Sequence, residues 1–319
     1  MTLELQAAYA ACRAIARREA KNFYYAFLAL PKHKSDAMCA VYAFMRRADD
    51  IADDESMTME RRRLVMAEWL AGWRASRAGG VTDDVVFAAL NDVQERFGIS
   101  DELLEQLVQG TAMDLEEQQG IGERGEGIDS ARMVRAGDGL VQVYETFDEL
   151  YRYCYLVASV VGLVCIKIFG YSDPEAEVLA EKTGIAFQLT NILRDVKEDA
   201  ERGRVYLPLE DMREFGLGAE RVLDVARELG SAKELKPVMV VEAARAREFY
   251  ASADRLIPML DADSRAAMGV LVDIYRGLLD LIEGADYDVF AQRVSVPTLQ
   301  KVGMLARGLV KTAVNRVTG

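Results

Sequence analysis

Gln188-Leu189-Thr190-Asn191-Ile192-Leu193-Arg194-Asp195-Val196-Lys197-Glu198-Asp199 is the stretch from which the fold can be read. On an α-helix, residues four apart share a face, so Asn191, Asp195 and Asp199 form one polar stripe over about two turns. Ile192, Leu193 and Val196 occupy the surface beside it. An unpaired carboxylate next to a core is very costly, and a hard divalent cation held by the stripe removes that cost. The earlier segment Arg46-Arg47-Ala48-Asp49-Asp50-Ile51-Ala52-Asp53-Asp54 repeats the device, with Asp49 and Asp53 four apart. The two segments predict two acidic helix faces meeting across a cavity.

Working outward, the helical signal dominates the chain. Its 319 residues include only six prolines, and 51% are hydrophobic, enough for a substantial core. Long stretches rich in Ala, Leu, Glu and Arg read as helix. The spacing predicts helices over 4–30, from Ser35 or Asp36 as a cap to the first acidic segment, and over 58–77, 83–97, 100–118, 149–169 and 174–199. Further helices are predicted over 219–229, 234–258, 264–283 and 298–314. No clean period-two strand, fixed-length repeat or Ser/Pro-rich linker is visible. The reading is an all-α bundle forming a single domain over 1–319.

Several classes of function are excluded. A net charge of −13 argues against a nucleic-acid partner, since phosphate binding is driven by Lys and Arg. His33 is the one histidine and follows Pro31 in an expected turn, which argues against a His general base, a Ser-His-Asp triad or a His-ligated zinc site. Cys12, Cys39, Cys154 and Cys165 show no C-x-x-C spacing and are read as core thiols in a reducing cytosol. Gly120, Gly122 and Gly125 spell G-x-G-x-x-G, but no strand precedes them, so no dinucleotide site is expected. The Gly-rich segment from Gly120 to Val141 is expected to be a long loop, a candidate lid. The apolar run Tyr153 to Ile166 falls short of the ~18 residues of a membrane span and is read as a buried helix, with Gly162 allowing close backbone approach.

Oxygen donors on two facing helices suit Mg²⁺, which keeps waters and shares its shell with substrate phosphates. Arg and Lys nearby take the remaining phosphate oxygens. The chemistry favoured is departure of a diphosphate, with an apolar cavity and aromatic faces sheltering the cation left behind. Asp50 and Asp54 lie one position around the helix and are read as a solvated face.

Tyr42 to Asp53, Tyr153-Cys154-Tyr155-Leu156-Val157-Ala158, Gly184 to Pro208, and Tyr275 through Asp286-Tyr287-Asp288-Val289-Phe290 to Arg293 together resemble the squalene/phytoene synthase family over nearly the whole chain. The resemblance implies an isoprenoid-synthase helical fold with a central cavity and a Mg²⁺-dependent head-to-head condensation of two prenyl diphosphates. It assigns Asp49, Asp53, Asn191, Asp195 and Asp199 to the metal, and Arg46, Arg194, Arg293 and Lys301 to diphosphate. Tyr42, Tyr153 and Tyr275 fall where the family places tyrosines around the reaction centre, with Phe23 and Gln188 lining the substrate. All the motif carboxylates are present, which argues against an inactive assembly or binding protein.

Asn-Ile-Leu-Arg-Asp, and the cluster Phe23 to Phe27 followed by Leu-Ala-Leu-Pro, resemble bacterial hopanoid-pathway presqualene diphosphate synthases. That implies farnesyl diphosphate as substrate and presqualene diphosphate as product, with onward conversion to squalene as an extension. Geranylgeranyl diphosphate, as in phytoene synthases, is the alternative. NADPH is not required to form presqualene diphosphate, and its use is not legible in the sequence. A segment from Gly120 longer than usual, and Val143 where an Arg is common, are departures from the family pattern. The resemblance also implies a cytoplasmic enzyme without a C-terminal anchor, in peripheral contact with the inner face of the membrane and with downstream hopanoid-pathway enzymes.

Overall fold

Helix-forming composition and local caps divide the chain into fourteen described α-helices and a small sheet. The computed structural model describes residues 2–113, 131–137 and 139–318. The elements are α1 (Leu3–Glu19), α2 (Lys21–Leu28), α3 (Lys32–Ala52), α4 (Met59–Arg77), α5 (Val85–Phe97), α6 (Asp101–Ala112), β1 (Arg132–Ala136) and β2 (Gly139–Val143). There follow α7 (Phe147–Cys154), a π-helical turn (Tyr155–Ser159), α8 (Val160–Phe169), α9 (Glu175–Glu201), β3 (Arg204–Val205) and α10 (Leu209–Glu214). The chain ends with α11 (Ala219–Ala226), α12 (Ala232–Met259), α13 (Arg265–Gly284) and α14 (Thr298–Thr318). Thr58, Asp84, Ser100 and Thr146 accept backbone N–H bonds at the starts of α4, α5, α6 and α7. Ser231 and Glu234 form a capping box on α12, so orphan donors at these helix starts are satisfied.

α9 lies at the centre, packed against α12, α8, α11 and the π-helical turn. One apolar cluster joins α1, α3, α5 and α8, and a second joins α7, the later half of α9, α12 and α13. Two glycines let backbones approach where a side chain would collide. A Cβ on Gly110 of α6 would lie 2.5 Å from the Leu156 carbonyl oxygen, and one on Gly184 of α9 would lie 2.6 Å from Ser159 Cα. The π-helical turn is therefore gripped from both sides. Gly162 plays the expected lesser part, its Cβ position being 3.2 Å from the Ala180 carbonyl oxygen. All four cysteines are free and buried, as read.

A buried lysine gathers the other end of these helices. Lys34, 5% exposed, donates to the Phe169 carbonyl oxygen (2.8 Å), Asp263 (2.7 Å), Asp261 (3.1 Å) and Ser264 Oγ (3.0 Å). It thereby ties the first turn of α3 to the end of α8 and the start of α13. Since α9 begins six residues after Phe169, helices α3, α9 and α13 all set out from the same end of the molecule.

Four expectations are corrected. The segment 4–30 is two helices, because the chain turns at Ala20 between α1 and α2. Helix α3 starts at Lys32, directly after Pro31; Asp36 does not cap it but is paired with Arg13 (2.9 Å) and Lys32 (2.5 Å). Strands do exist: β1 and β2 form an antiparallel hairpin, and β3 adds in parallel to β2. Each is at most five residues long, and only Ala136, Val141, Val143 and Val205 are buried in them, so alternation is faint. The Val-rich runs flanking Gly137 and Gly139 are the signal that was available. Finally, the apolar run Tyr153 to Ile166 belongs to a continuous helix, Phe147–Phe169, that is long and apolar enough to cross a membrane by length and composition. Half of its most apolar stretch is buried, and α6 and α9 pack on it, as expected of a core helix. The glycine motif at Gly120, Gly122 and Gly125, and most of the expected lid, lie outside the described residues.

A buried charge cluster ties α12 to α10. Arg245 Nη1 donates to Asp211 (2.9 Å) and to Glu242, while its guanidinium lies 4.0 Å over the Phe147 ring. Glu242 Oε2 has no partner among the described residues. Burial, only partly opposed by the Arg245 charge, pushes Glu242 up from 4.5 to about 8. An acid raised in this way binds its proton more tightly when folded, so its contribution is fully favourable below the unfolded value and is lost as pH rises through the folded one. Stability is expected to fall by up to about 1.4 kcal/mol per pH unit within that window. Urea midpoints measured across it test this: Glu242→Gln should remove this share of the slope, and an unchanged slope would refute the assignment.

Candidate active site

Three helices that start together at the Lys34 knot line one apolar cavity of about 220 Å³. α3 contributes Met38, Val41, Tyr42 and Met45; α9 contributes Ala180, Thr183, Gly184, Phe187, Gln188 and Asn191; α13 contributes Met268, Leu271 and Tyr275. Val157 and Ala158 of the π-helical turn and Phe23 and Phe27 of α2 complete much of the wall. On α3, Asp49 follows the last lining residue, Met45, by one turn, and Asp53 follows by another. On α9, Asp195 and Asp199 follow Asn191 in the same way. Both acidic stripes therefore continue cavity-lining faces beyond the apolar part, at the end away from Lys34. The two acidic stripes thus lie one and two turns beyond cavity-lining residues of α3 and α9.

The charges at this mouth are strongly perturbed. Burial pushes Asp49 up to about 6, Arg46 opposing and Asp53 adding to the rise, while Thr111 of α6 hydrogen-bonds the carboxylate. Burial, then Asp195, push Asp199 up to about 7 against Arg204 and Arg202. Asp195 accepts from Arg194 Nε at 2.7 Å and from Arg293 at 2.9 Å, and Arg293 also reaches Glu198 at 3.3 Å. Arg46 pairs with exposed Asp50 at 2.6 Å, and its Nε is buried without a partner among the described residues. Asp54 turns to Ser56, accepting from its backbone N–H at 2.9 Å. Asp50 and Asp54 thus have local surface partners, as read. Lys301 lies half-buried on α14.

Aromatic residues sit below the charges. Tyr275 stacks on Phe187 at 4.3 Å and 11°, lies 6.3 Å from the Phe23 ring, and is hydrogen-bonded to Asn191. Asn191 donates to Gln188 at 3.3 Å. Burial pushes the Tyr42 hydroxyl up to about 12 and raises that of Tyr275, so both stay protonated. Tyr153 is set apart from these lining residues. Its hydroxyl donates to Tyr206 at 3.1 Å and its ring stacks on Tyr206 at 4.8 Å, with Tyr144 completing the cluster. Tyr206 in turn borders a small crevice that Asp199 and Arg204 line.

Phe187, Thr111 and Tyr206 were not singled out from the sequence. Phe187 is four residues before Asn191, so the same helical period contains it. Thr111 comes from another helix, and no local pattern announces it.

The donors at the mouth are all oxygens, the chemistry of a hard cation. No group of three or more His, Cys, Asp or Glu side chains among the described residues is arranged to hold a metal by itself. Mg²⁺ takes one or two carboxylates per ion and fills its shell with waters and substrate phosphates, so Asp49 and Asp53, or Asn191, Asp195 and Asp199, are of the kind that would hold it. The unpartnered Arg46 Nε beside Asp49 likewise suits an anionic ligand.

The squalene/phytoene synthase family model matches residues 5–300. The chain is 32% identical to a 15-cis-phytoene synthase of Synechococcus elongatus, covering 97% of this chain and 95% of that one. It is 33% identical to a phytoene synthase of Mycobacterium tuberculosis, covering 97% and 93%. Among solved structures it is similar to a dehydrosqualene synthase in complex with ligand, with a TM-score of 0.77 and 29% identity over 98% of each chain. The squalene synthase HpnC from Alicyclobacillus acidocaldarius shares the fold, with a TM-score of 0.74 and 23% identity over 90% and 97%. With the motifs in place on the same all-α fold, the chain belongs to the squalene/phytoene synthase family and is a prenyltransferase of that type.

Proposed function

We propose that this prenyltransferase joins two farnesyl diphosphates head to head (1'-1), with Mg²⁺, to give presqualene diphosphate. The depth of the apolar cavity carries the reading. Asn191 at the mouth and Ala180 at the floor are both lining residues of α9, separated by about 16 Å of helix. An isoprene unit spans four carbon–carbon bonds, about 5 Å at ordinary bond lengths. Three units match the depth and four exceed it. Ile166, Leu256 and Met268 close the floor, all buried.

In this reaction C1 of one substrate loses diphosphate, the double bond of the other attacks that carbon, and loss of one proton closes a cyclopropane. Arg46, Arg194, Arg293 and Lys301 hold diphosphate oxygens. Asp49, Asp53, Asn191, Asp195 and Asp199 would hold Mg²⁺, which when bound neutralises charge on the leaving group. Tyr42, Tyr275, Phe23 and Phe187 present ring faces to the allylic cation and keep water from it. Gln188 orients Asn191 through their hydrogen bond, and Tyr153 acts from the Asp199 side through Tyr206.

Geranylgeranyl diphosphate is favoured by one observation, that the curated relatives named above are phytoene synthases. Onward reduction to squalene with NADPH is a separate extension. Four free, buried cysteines support a cytoplasmic location, and the insolubility of the product supports peripheral contact with the membrane's inner face and transfer to downstream hopanoid-pathway enzymes. The test is incubation of purified protein with Mg²⁺ and each labelled diphosphate, with and without NADPH, followed by product identification. Farnesyl diphosphate should be consumed to a cyclopropyl diphosphate, unchanged by NADPH. Preference for geranylgeranyl diphosphate would overturn the chain length, and no turnover of either by folded protein would overturn the reaction.

A further inference from the structure

Arg293 stands on the connection from α13 to α14, a stretch without regular secondary structure. No helical period places it, so the bonds of that connection must. Asp286 and Tyr287 are left-handed, at φ 56° and 64°, a conformation that residues other than glycine rarely adopt and that the surroundings have to enforce. Part of the support is local. The Asp286 and Tyr287 N–H groups donate to the Glu283 and Ile282 carbonyl oxygens of α13, and Asp288 Oδ1 accepts from the N–H groups of Phe290 and Ala291, both at 3.2 Å. Val289 and Phe290 are buried in the second apolar cluster. From Ala291 to Arg293 the chain is exposed.

Helix α9 meets this connection at two points. Arg293 pairs with Asp195 at 2.9 Å and with Glu198 at 3.3 Å. Lys197 Nζ donates to the Phe290 carbonyl oxygen at 3.1 Å. At 3.6 residues per turn, Lys197 lies about 160° around the helix from both Asp195 and Asp199. It is therefore off the acidic stripe, and its ammonium holds backbone on another flank of α9. From Phe290 to Arg293 the chain can reach about 10 Å, enough to pass from that flank toward the Asp195 face. The Lys197 bond thus sets the point from which Arg293 reaches the cavity mouth.

We propose that Lys197 is a positioning residue of the condensation: by clasping the Phe290 carbonyl it holds Arg293 where the arginine contacts diphosphate. This role rests on the proposed diphosphate reading of the site, whereas the clasp itself needs no substrate.

Two measurements on the full chain test it. The first is hydrogen exchange over residues 286–293 without substrate. Lys197→Met keeps the apolar stem and removes the donor, so the Phe290 and Ala291 amides should exchange about tenfold faster, the scale of one lost hydrogen bond from a charged group. Lys197→Arg, which retains a donor, should restore slow exchange. The second is the affinity for inorganic pyrophosphate with Mg²⁺, measured in a double-mutant cycle with Arg293→Ala. Lys197→Met should weaken binding about tenfold in the parent chain and less than about twofold in the Arg293→Ala chain, because the two residues act as a unit. Unchanged exchange in Lys197→Met, or an equal loss of affinity in both backgrounds, would overturn the proposal. If the parent binds pyrophosphate and turns over prenyl diphosphates while the cycle is additive, the role of Lys197 fails alone. If the parent binds no pyrophosphate, that role falls together with the diphosphate reading.

Discussion

Asp49→Ala and Asp195→Ala, made singly, are each expected to lower turnover about a thousandfold, the scale of removing one preorganised electrostatic contact from a developing charge. The two aspartates sit on different helices at the same mouth, one hydrogen-bonded by Thr111 and the other held by Arg194 and Arg293. On the proposed reading, losing either leaves the diphosphate with half a clamp. Helicity should be unchanged, because both residues are in the last turns of long helices whose cores lie elsewhere. Asp54→Ala is the control: its carboxylate serves Ser56 locally, and activity should stay near that of the parent. Steady-state turnover with circular dichroism on the same samples decides the matter, and full activity in both clamp variants would end the two-motif reading.

Lys34→Met is expected to cost about 3 kcal/mol of stability, near the lower end for breaking a buried charge pair because Asp261 and Asp263 retain access to water. The three N–H donors of one ammonium, shared among four acceptors, are lost, and three elements part company at the cavity floor. Thermal or urea unfolding reads the change. A loss below about 0.5 kcal/mol, the scale of an ordinary surface substitution, would show that the knot is incidental.

The acidic stripes were legible because a helix repeats its face every four residues, and Asn191, Asp195 and Asp199 need no tertiary information to align. The same period contains Phe187, which was there to be read. Tyr153 illustrates a different limit: the sequence places it near a reaction centre, whereas its ring is turned toward Tyr206 and Tyr144. Which way a tyrosine faces depends on neighbours brought in by β3 and the segment after it. The hairpin was missed because short, half-exposed strands leave almost no alternation. Lys34 lay beyond local pattern altogether, since its acceptors come from Phe169 and from Asp261 to Ser264, far along the chain. A lysine in the first turns of a helix reads as surface until those partners are known.

The Lys34 knot makes the cavity mechanically one-ended. Its floor is clasped by buried bonds to a single ammonium, while at the opposite rim Asp195 of α9 is tied to Arg293 by a pair that water reaches. Fluctuations of the bundle concentrate where the restraints are weakest. On these restraints the helices are expected to part at the rim before they part at the base. On the proposed reaction, entry and exit are then expected to share that rim, and a bulky product to leave by the route its two halves came in.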